Sequence, residues 1–310
     1  MVGPTQRITF LGVVIDSVKR TIECTQERVQ QLRTRLSTVK QQQSITRHEF
    51  DSLLGRLSFA AQVLPGARPF TRQMRDAGLN CSTLPNANIT ITSKFREDVD
   101  FWQQRLDRWN GRATWRSNHS VPYIIATDAS KAGFGFYMER NTRESEVGFD
   151  VEESTALDGP VNGMGYSGKF SSEFQEADIG TREMLAVLAA ITTFASMMAN
   201  SSVRIMCDNE SDVAIINRQA TRSQSISILL RQMFTLSFDF NIRIEAVHRA
   251  GVLNELADFL SRPHRHQDQH LAEWRRIHND TNQANRLCAV HCFDSSEFLR
   301  QHLSTNSSPS

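Results

Sequence analysis

Apolar positions recur at helical spacing through the first third of the chain. Val29, Leu32, Leu36 and Val39 form one stripe, and Phe95, Val99, Trp102, Leu106 and Trp109 form another. Between them lie Phe50, Leu53, Leu54 and Leu57, led by Thr46-Arg47-His48-Glu49, which has the spacing of a capping box. From residue 121 the pattern changes. Val121–Thr127 reads as a buried strand, and Gly133 and Gly135, lying between two apolar runs, predict a tight strand-to-strand connection. A long helix is predicted from Glu183 onward, with Met184, Leu185, Val187, Leu188, Ile191, Phe194, Ala195 and Met198 apolar. Val203–Cys207 is a second buried strand, followed by a helix carrying Val213, Ile215 and Ile216. Asn241–Val247 is strand-like, and a short apolar helix pattern ends at Ser261-Arg262. Helices alone in front and mixed strands and helices behind predict an α/β part preceded by a mostly helical one.

Four acids occupy boundaries of the elements in the second part. Asp128 ends the first strand, Glu183 lies in the first turn of the long helix, Asp208 ends the strand Val203–Cys207, and Asp258 lies in the first turn of the last helix. His248 ends the Asn241–Val247 strand, and a Gly251/Asn254 turn follows; taken alone, this stretch reads equally as a loop with Asn254 capping the last helix and Asp258 facing its dipole. Each placement is common by itself. Four carboxylates converging in one place repel one another unless cations compensate. Magnesium fits, being a hard cation that takes one or two carboxylates with waters and phosphate oxygens. Two such ions about 4 Å apart activate a water and stabilise the leaving oxygen of a phosphodiester. A neighbouring histidine then moves protons. Apart from Cys207, a strand residue beside Asp208, no Cys or second His accompanies the four acids in their local motifs, which argues against a soft-metal site.

Thr127-Asp128-Ala129-Ser130, Thr181-Arg182-Glu183-Met184-Leu185-Ala186, Cys207-Asp208-Asn209 and His248-x-x-Gly251-x-x-Asn254-x-x-Ala257-Asp258-x-Leu260-Ser261-Arg262 resemble the ribonuclease H domain of retroelement reverse transcriptases. The last motif, with its histidine ten residues before the final Asp, is the specific one. The resemblance covers roughly residues 121–263. It implies a mixed five-stranded sheet flanked by helices and hydrolysis of the RNA strand of RNA/DNA hybrids. It implies two Mg2+ ions, with Mn2+ as substitute, held by Asp128, Glu183, Asp208 and Asp258, with His248 assisting. Ser130, Asn209, Arg249 and Asn254 are the implied substrate contacts. Further forward, Ile8–Asp16 resembles the hairpin that closes the palm of a reverse transcriptase, and Gly55–Phe70 resembles the thumb of DIRS (tyrosine-recombinase) retrotransposons.

The expected organisation is a palm remnant over 1–24, a helical thumb or connection segment over 25–120, the ribonuclease H domain over 121–263 and a tail or linker over 264–310. A polymerase needs a Tyr-x-Asp-Asp type turn, and the chain has no Asp-Asp pair. Polymerase activity is therefore not expected, and an upstream polymerase region of a longer polyprotein is an expected partner. Two other readings are a catalytically inactive relic that only binds nucleic acid and a related nuclease or integrase-like protein. The latter normally uses three acids, so Asp258 and His248 argue against it.

Charge divides the chain in the same place. Residues 1–120 hold 18 Lys+Arg against 10 Asp+Glu, a net of +8, whereas residues 121–310 hold 17 against 24, a net of −7. A basic front suits a phosphate backbone, with Arg28, Arg33, Arg35, Arg47 and Arg56 as candidates, and an acidic back suits cations. No apolar run of about 18 residues exists, so no membrane span is expected. Five scattered cysteines predict free thiols in a reducing, intracellular compartment, cytoplasm or nucleus. Residues 139–178 are expected to hold an outer strand and a long surface loop, with Phe170 and Phe174 returning to the core. In the tail, His266, His270, Cys288 and Cys292 are candidate zinc ligands, but their spacing is poor, and a linker with a short amphipathic helix near Leu271–Ile277 is the favoured reading.

Overall fold

The computed structural model describes residues 5–64, 66–79, 81–110, 113–114, 121–140, 163–262 and 287–293. The chain divides into two compact units, 1–117 and 118–310.

In the first unit, β1 (Arg7–Phe10), β2 (Val13–Asp16) and β3 (Thr21–Cys24) form an antiparallel meander, joined at β3 by β6 (Ala113–Thr114). Gly12, at φ +83, makes the tight turn between β1 and β2. The helices are α1 (Gln26–Gln41), α2 (Arg47–Val63), α3 (Arg72–Leu79) and α4 (Ser93–Trp109), and β4 (Ser44–Thr46) pairs with β5 (Asn88–Thr90). The predicted stripes lie on their buried faces: Val29, Leu32, Leu36 and Val39 on α1, Phe50, Leu53 and Leu57 on α2, and Phe95, Val99, Trp102 and Leu106 on α4; Leu54 is half-buried, and the Trp109 side chain lies outside the description. The capping box at Thr46 and Glu49 is present in both directions. The candidate arginines are engaged within the unit: Arg33 pairs with Asp107, Arg35 with Glu49 at 3.0 Å and Arg47 with Asp51 at 2.9 Å. Arg28 lies 4.3 Å from the centroid of the Phe59 ring. The basic excess of the front half is thus partly spent on helix-to-helix pairing.

The second unit is a mixed sheet flanked by helices, the architecture expected for a ribonuclease H fold. Its strands are β7 (Tyr123–Ala129), β8 (Gly133–Arg140), β9 (Gly163–Lys169), β10 (Ser202–Cys207), β11 (Arg243–His248) and β12 (Leu287–Phe293), in the spatial order β11-β10-β7-β8-β9-β12. β11, β10 and β7 run parallel, β8 is antiparallel to both β7 and β9, and β12 is parallel to β9. The five expected strands are joined by a sixth from the stretch read as tail. Its Leu-Cys-Ala-Val-His-Cys-Phe run is short and set in a polar region, so composition hid it, while the free edge of β9 gives its backbone a partner. The helix expected near Leu271–Ile277, and His266 and His270, lie outside the described residues.

The connecting helices are α5 (Ser172–Gln175), α6 (Ile179–Phe194), α7 (Glu210–Arg218), α8 (Gln224–Asp239) and α9 (Glu255–Leu260). Alternation along β8 sorts the two faces of the sheet. Phe134 and Phe136 point one way, and Phe136 meets Phe194 of α6 edge-on at 5.7 Å. Tyr137 points the other way, packing with Ala126, Ala257 and Leu260 beneath α9. Gly135 shares this second face, directly opposite Asp128. A Cβ at Gly135 would lie 2.4 Å from the backbone of Leu260 and Ser261, so only glycine lets α9 approach. The two glycines expected in the turn therefore sit on β8 itself, and the reversal is made by Ser130–Ala132. Gly135→Ala is expected to cost about 2–3 kcal/mol as an overpacked contact and to push α9 off the sheet. A thermal-denaturation midpoint equal to the wild type would refute that close approach.

Candidate metal centre

Three parallel strands deliver their carboxyl ends to one edge of the sheet, and the candidate acids collect there. Asp128 is the penultimate residue of β7, inside the strand and not after it. Asp208 follows β10, and His248 is the last residue of β11. Glu183 is carried by α6, which starts four residues earlier than the apolar pattern indicated. Asp178 caps α6, its side chain accepting from the Thr181 backbone N–H at 2.9 Å. Glu183 therefore lies in the second turn, and from there its Oε1 accepts from the Ala129 N–H at 3.0 Å.

One oxygen each from Asp128, Glu183 and Asp208 lie within 4.8 Å of one another. Asp128 is 7% and Glu183 3% exposed, and Asp208 is the most open of the three. Burial, together with the neighbouring carboxylates, pushes Glu183 up to about 9; Asp128 and Asp208 are its strongest charged neighbours. Asp128 is raised to about 6, mainly by burial, with Asp258 and Asp208 adding to the shift and the Ser261 hydroxyl opposing it. Oε2 of Glu183 is buried without a hydrogen-bond partner. A buried, unpartnered carboxylate oxygen facing two further carboxylates is a costly arrangement for the protein alone. It is the donor set that a hard divalent cation would satisfy.

Asp258 stands outside this trio but lines the same cavity, of about 480 Å³. Its helix is pinned at both ends. Asn254 is buried and donates from Nδ2 to the Thr127 carbonyl at 2.9 Å, making no cap hydrogen bond to α9. At the other end, Ser167 donates to the Leu260 carbonyl at 2.7 Å and Ser130 to the Ser261 carbonyl at 2.6 Å. These contacts correct the capping role expected for Asn254 and give both Asn254 and Ser130 positioning roles. Asn209 caps α7, its Oδ1 accepting from the Ser211 N–H at 2.9 Å. Arg249 donates to the Tyr137 hydroxyl at 3.1 Å. His248 is exposed, and its Nε2 lies 3.1 Å from the main-chain oxygen of Asp208, which sets the ring beside the trio.

Three residues at this edge escaped the sequence reading. Asp212, in the first turn of α7, is 1% exposed with Oδ2 unpartnered; burial and then Asp178 and Asp208 raise it to about 7. It takes the inward position that the flanking Val213 and Ile215 only half fill. Ile179, the first residue of α6, is 51% exposed and lines the cavity. Arg262 appeared only as the end of a motif. An acid in the first turn of a helix is ordinary, so the sequence carried no signal that Asp212 is buried.

Residues 118–237 match the family model of the RNase H-like domain found in reverse transcriptase. His248, Asn254 and Asp258 lie beyond the matched span. No curated protein matches the chain. Among solved structures, the chain is similar to RNase H1 of the halophilic archaeon Halobacterium salinarum, at 13% identity and a TM-score of 0.32, covering 44% of this chain and 91% of that one. It is also similar to the N-terminal RNase H domain of a Mycobacterium tuberculosis protein, solved as a fusion with maltose-binding protein. There the identity is 18% and the TM-score 0.31, over 45% of this chain and 95% of that one. A third similarity is to the foamy viral protease-reverse transcriptase in complex with an RNA/DNA hybrid, at 13% identity and a TM-score of 0.32. It covers 78% of this chain, which spans only 29% of the viral protein. Among the described residues, no helix is long and apolar enough to cross a membrane.

Proposed function

We propose that this chain is a divalent-ion-dependent ribonuclease H that cuts the RNA strand of RNA/DNA hybrids, and that it works as part of a retroelement reverse transcriptase. The observation that carries the reading is the trio Asp128, Glu183 and Asp208, with oxygens within 4.8 Å and one buried oxygen unpartnered. The family match over 118–237 supports the substrate class. The DIRS assignment rests on the Gly55–Phe70 stretch, and the partner polymerase region on the likeness of Ile8–Asp16 to the hairpin that closes a reverse-transcriptase palm.

Asp128, Glu183 and Asp208 would hold magnesium, or manganese in its place, with Asp258 completing the set. All four offer hard oxygen ligands, and the phosphate of the substrate adds more. When bound, such ions lower the pKa of a coordinated water and offset charge on the leaving oxygen. The chain's own residues do the rest. Glu183 is fixed by the Ala129 N–H, and Asn254, Ser130 and Ser167 keep α9, and with it Asp258, against the sheet. These anchors keep the carboxylates in register for a scissile phosphate.

His248 would move protons beside Asp208 without holding an ion, since imidazole suits softer metals. His248→Ala is expected to lower the turnover number roughly a hundredfold, with magnesium and hybrid affinity close to normal. A turnover number unchanged from pH 6 to 9 would leave His248 only its hydrogen bond to the Asp208 carbonyl. The reading as a whole is tested with end-labelled RNA/DNA, RNA/RNA and DNA/DNA duplexes, with and without magnesium. Cleavage confined to the RNA of the hybrid and dependent on the ion is expected. Tight hybrid binding with no cleavage would make the chain a binding module instead.

A further inference from the structure

Arg262 is the one basic residue among those described as lining the acidic cavity. It sits four residues after Asp258, just past the end of α9, and turns back onto that carboxylate. Nε lies 3.1 Å from both Oδ1 and Oδ2, and Nη2 lies 2.5 Å from Oδ1. This is a guanidinium fork closed on a carboxylate, the strongest geometry such a pair adopts. Both side chains remain almost half exposed, at 47% and 44%. Arg262 also lies within the field of Asp128. Asp258, so engaged, is the one proposed ligand outside the 4.8 Å trio.

We propose that Arg262 is the cationic gate of the fourth carboxylate: it occupies Asp258 while the site is free of ions and releases it when a divalent ion enters. The inference rests on the ribonuclease H reading above. Three features of the chain support it. The trio keeps a buried, unpartnered oxygen while both oxygens of Asp258 are held by a cation, and that cation is Arg262. An exposed ion pair is weak and screened by salt, so the fork opens readily. The freed guanidinium then stands at the rim of the cavity, with the fork geometry that suits a phosphate oxygen.

The gate predicts competition, which can be read without substrate. Mn2+ binding to the full chain, followed by calorimetry and electron paramagnetic resonance, is expected to tighten in Arg262→Gln by up to about fivefold, the most that an exposed pair of about 1 kcal/mol can supply. Arg262→Lys, which keeps the charge but not the fork, should fall between. Adding Asp258→Asn to Arg262→Gln should cancel the gain, since the two residues act as one unit. With hybrid substrate, Arg262→Gln should raise KM more than it lowers kcat. Equal Mn2+ affinity in wild type and Arg262→Gln, with binding still abolished by Asp208→Asn, would overturn the gate and leave the ribonuclease H reading standing. No Asp208-dependent Mn2+ binding in the wild type would overturn both.

Discussion

Asp208→Asn is expected to abolish cleavage of the RNA strand, by at least about a thousandfold, or about 4 kcal/mol of barrier. Asp208 is the most open member of the trio, so its carboxylate is the one presented to both the cavity and a substrate. An amide of the same shape keeps the packing but removes the charge that offsets a divalent cation. The same substitution should not harm folding. The charge of Asp208 raises the pKa of Asp128, of Glu183 and of Asp212, so its loss relieves three repulsions at once. The expected result is a chain at least as stable as the wild type, with normal circular dichroism, and inert toward hybrids at any magnesium concentration. Activity within tenfold of wild type would sink the metal assignment, whereas loss of activity with loss of fold would say nothing about charge. The stability measurement separates these outcomes.

How much of this was legible beforehand depended on whether a feature is local. The apolar stripes of α1, α2 and α4 face inward as predicted, with Leu54 only half-buried, because a 3.6-residue period already fixes which side of a helix faces inward. The four acids were found from their positions at element boundaries and from the motif they resemble. What the pattern missed was set by contacts between distant segments. Asn254 looked like a cap, but Thr127, 127 residues earlier, offers its amide a buried carbonyl. Gly135 looked like a turn residue, but its missing side chain is needed by Leu260 and Ser261 across the sheet. Asp212 reads as a solvated first-turn acid, and only the fold reveals that it points inward. β12 depends on a partner strand more than a hundred residues earlier, which no local window contains.

Glu183→Gln should destroy activity and yet stabilise the ion-free chain at alkaline pH. Burial, Asp128 and Asp208 raise the folded-state pKa of Glu183 to about 9, far above that of an ordinary Glu. The folded chain therefore binds a proton that the unfolded chain releases at about pH 4.3. Stability from this group is fully present below that value and is lost progressively as pH rises towards 9. Asp128, at about 6, and Asp212, at about 7, add losses of the same sign that end at lower pH. In EDTA, the wild-type melting temperature should thus decline from pH 5 to 9. Gln mimics the protonated acid and keeps an oxygen for the Ala129 N–H, so the variant should decline less above pH 7. A gap of at least about 5 °C at pH 9 is expected, since a buried carboxylate is worth a few kcal/mol and each shifts the midpoint by about 2–4 °C. Saturating magnesium should close that gap from the wild-type side, because an ion that binds only the folded state stabilises it, and the wild type offers it one more charge. Parallel pH profiles for the two proteins in EDTA would show that Glu183 is ionised in the folded chain without an ion, and the argument from its buried, unpartnered oxygen would fail with them.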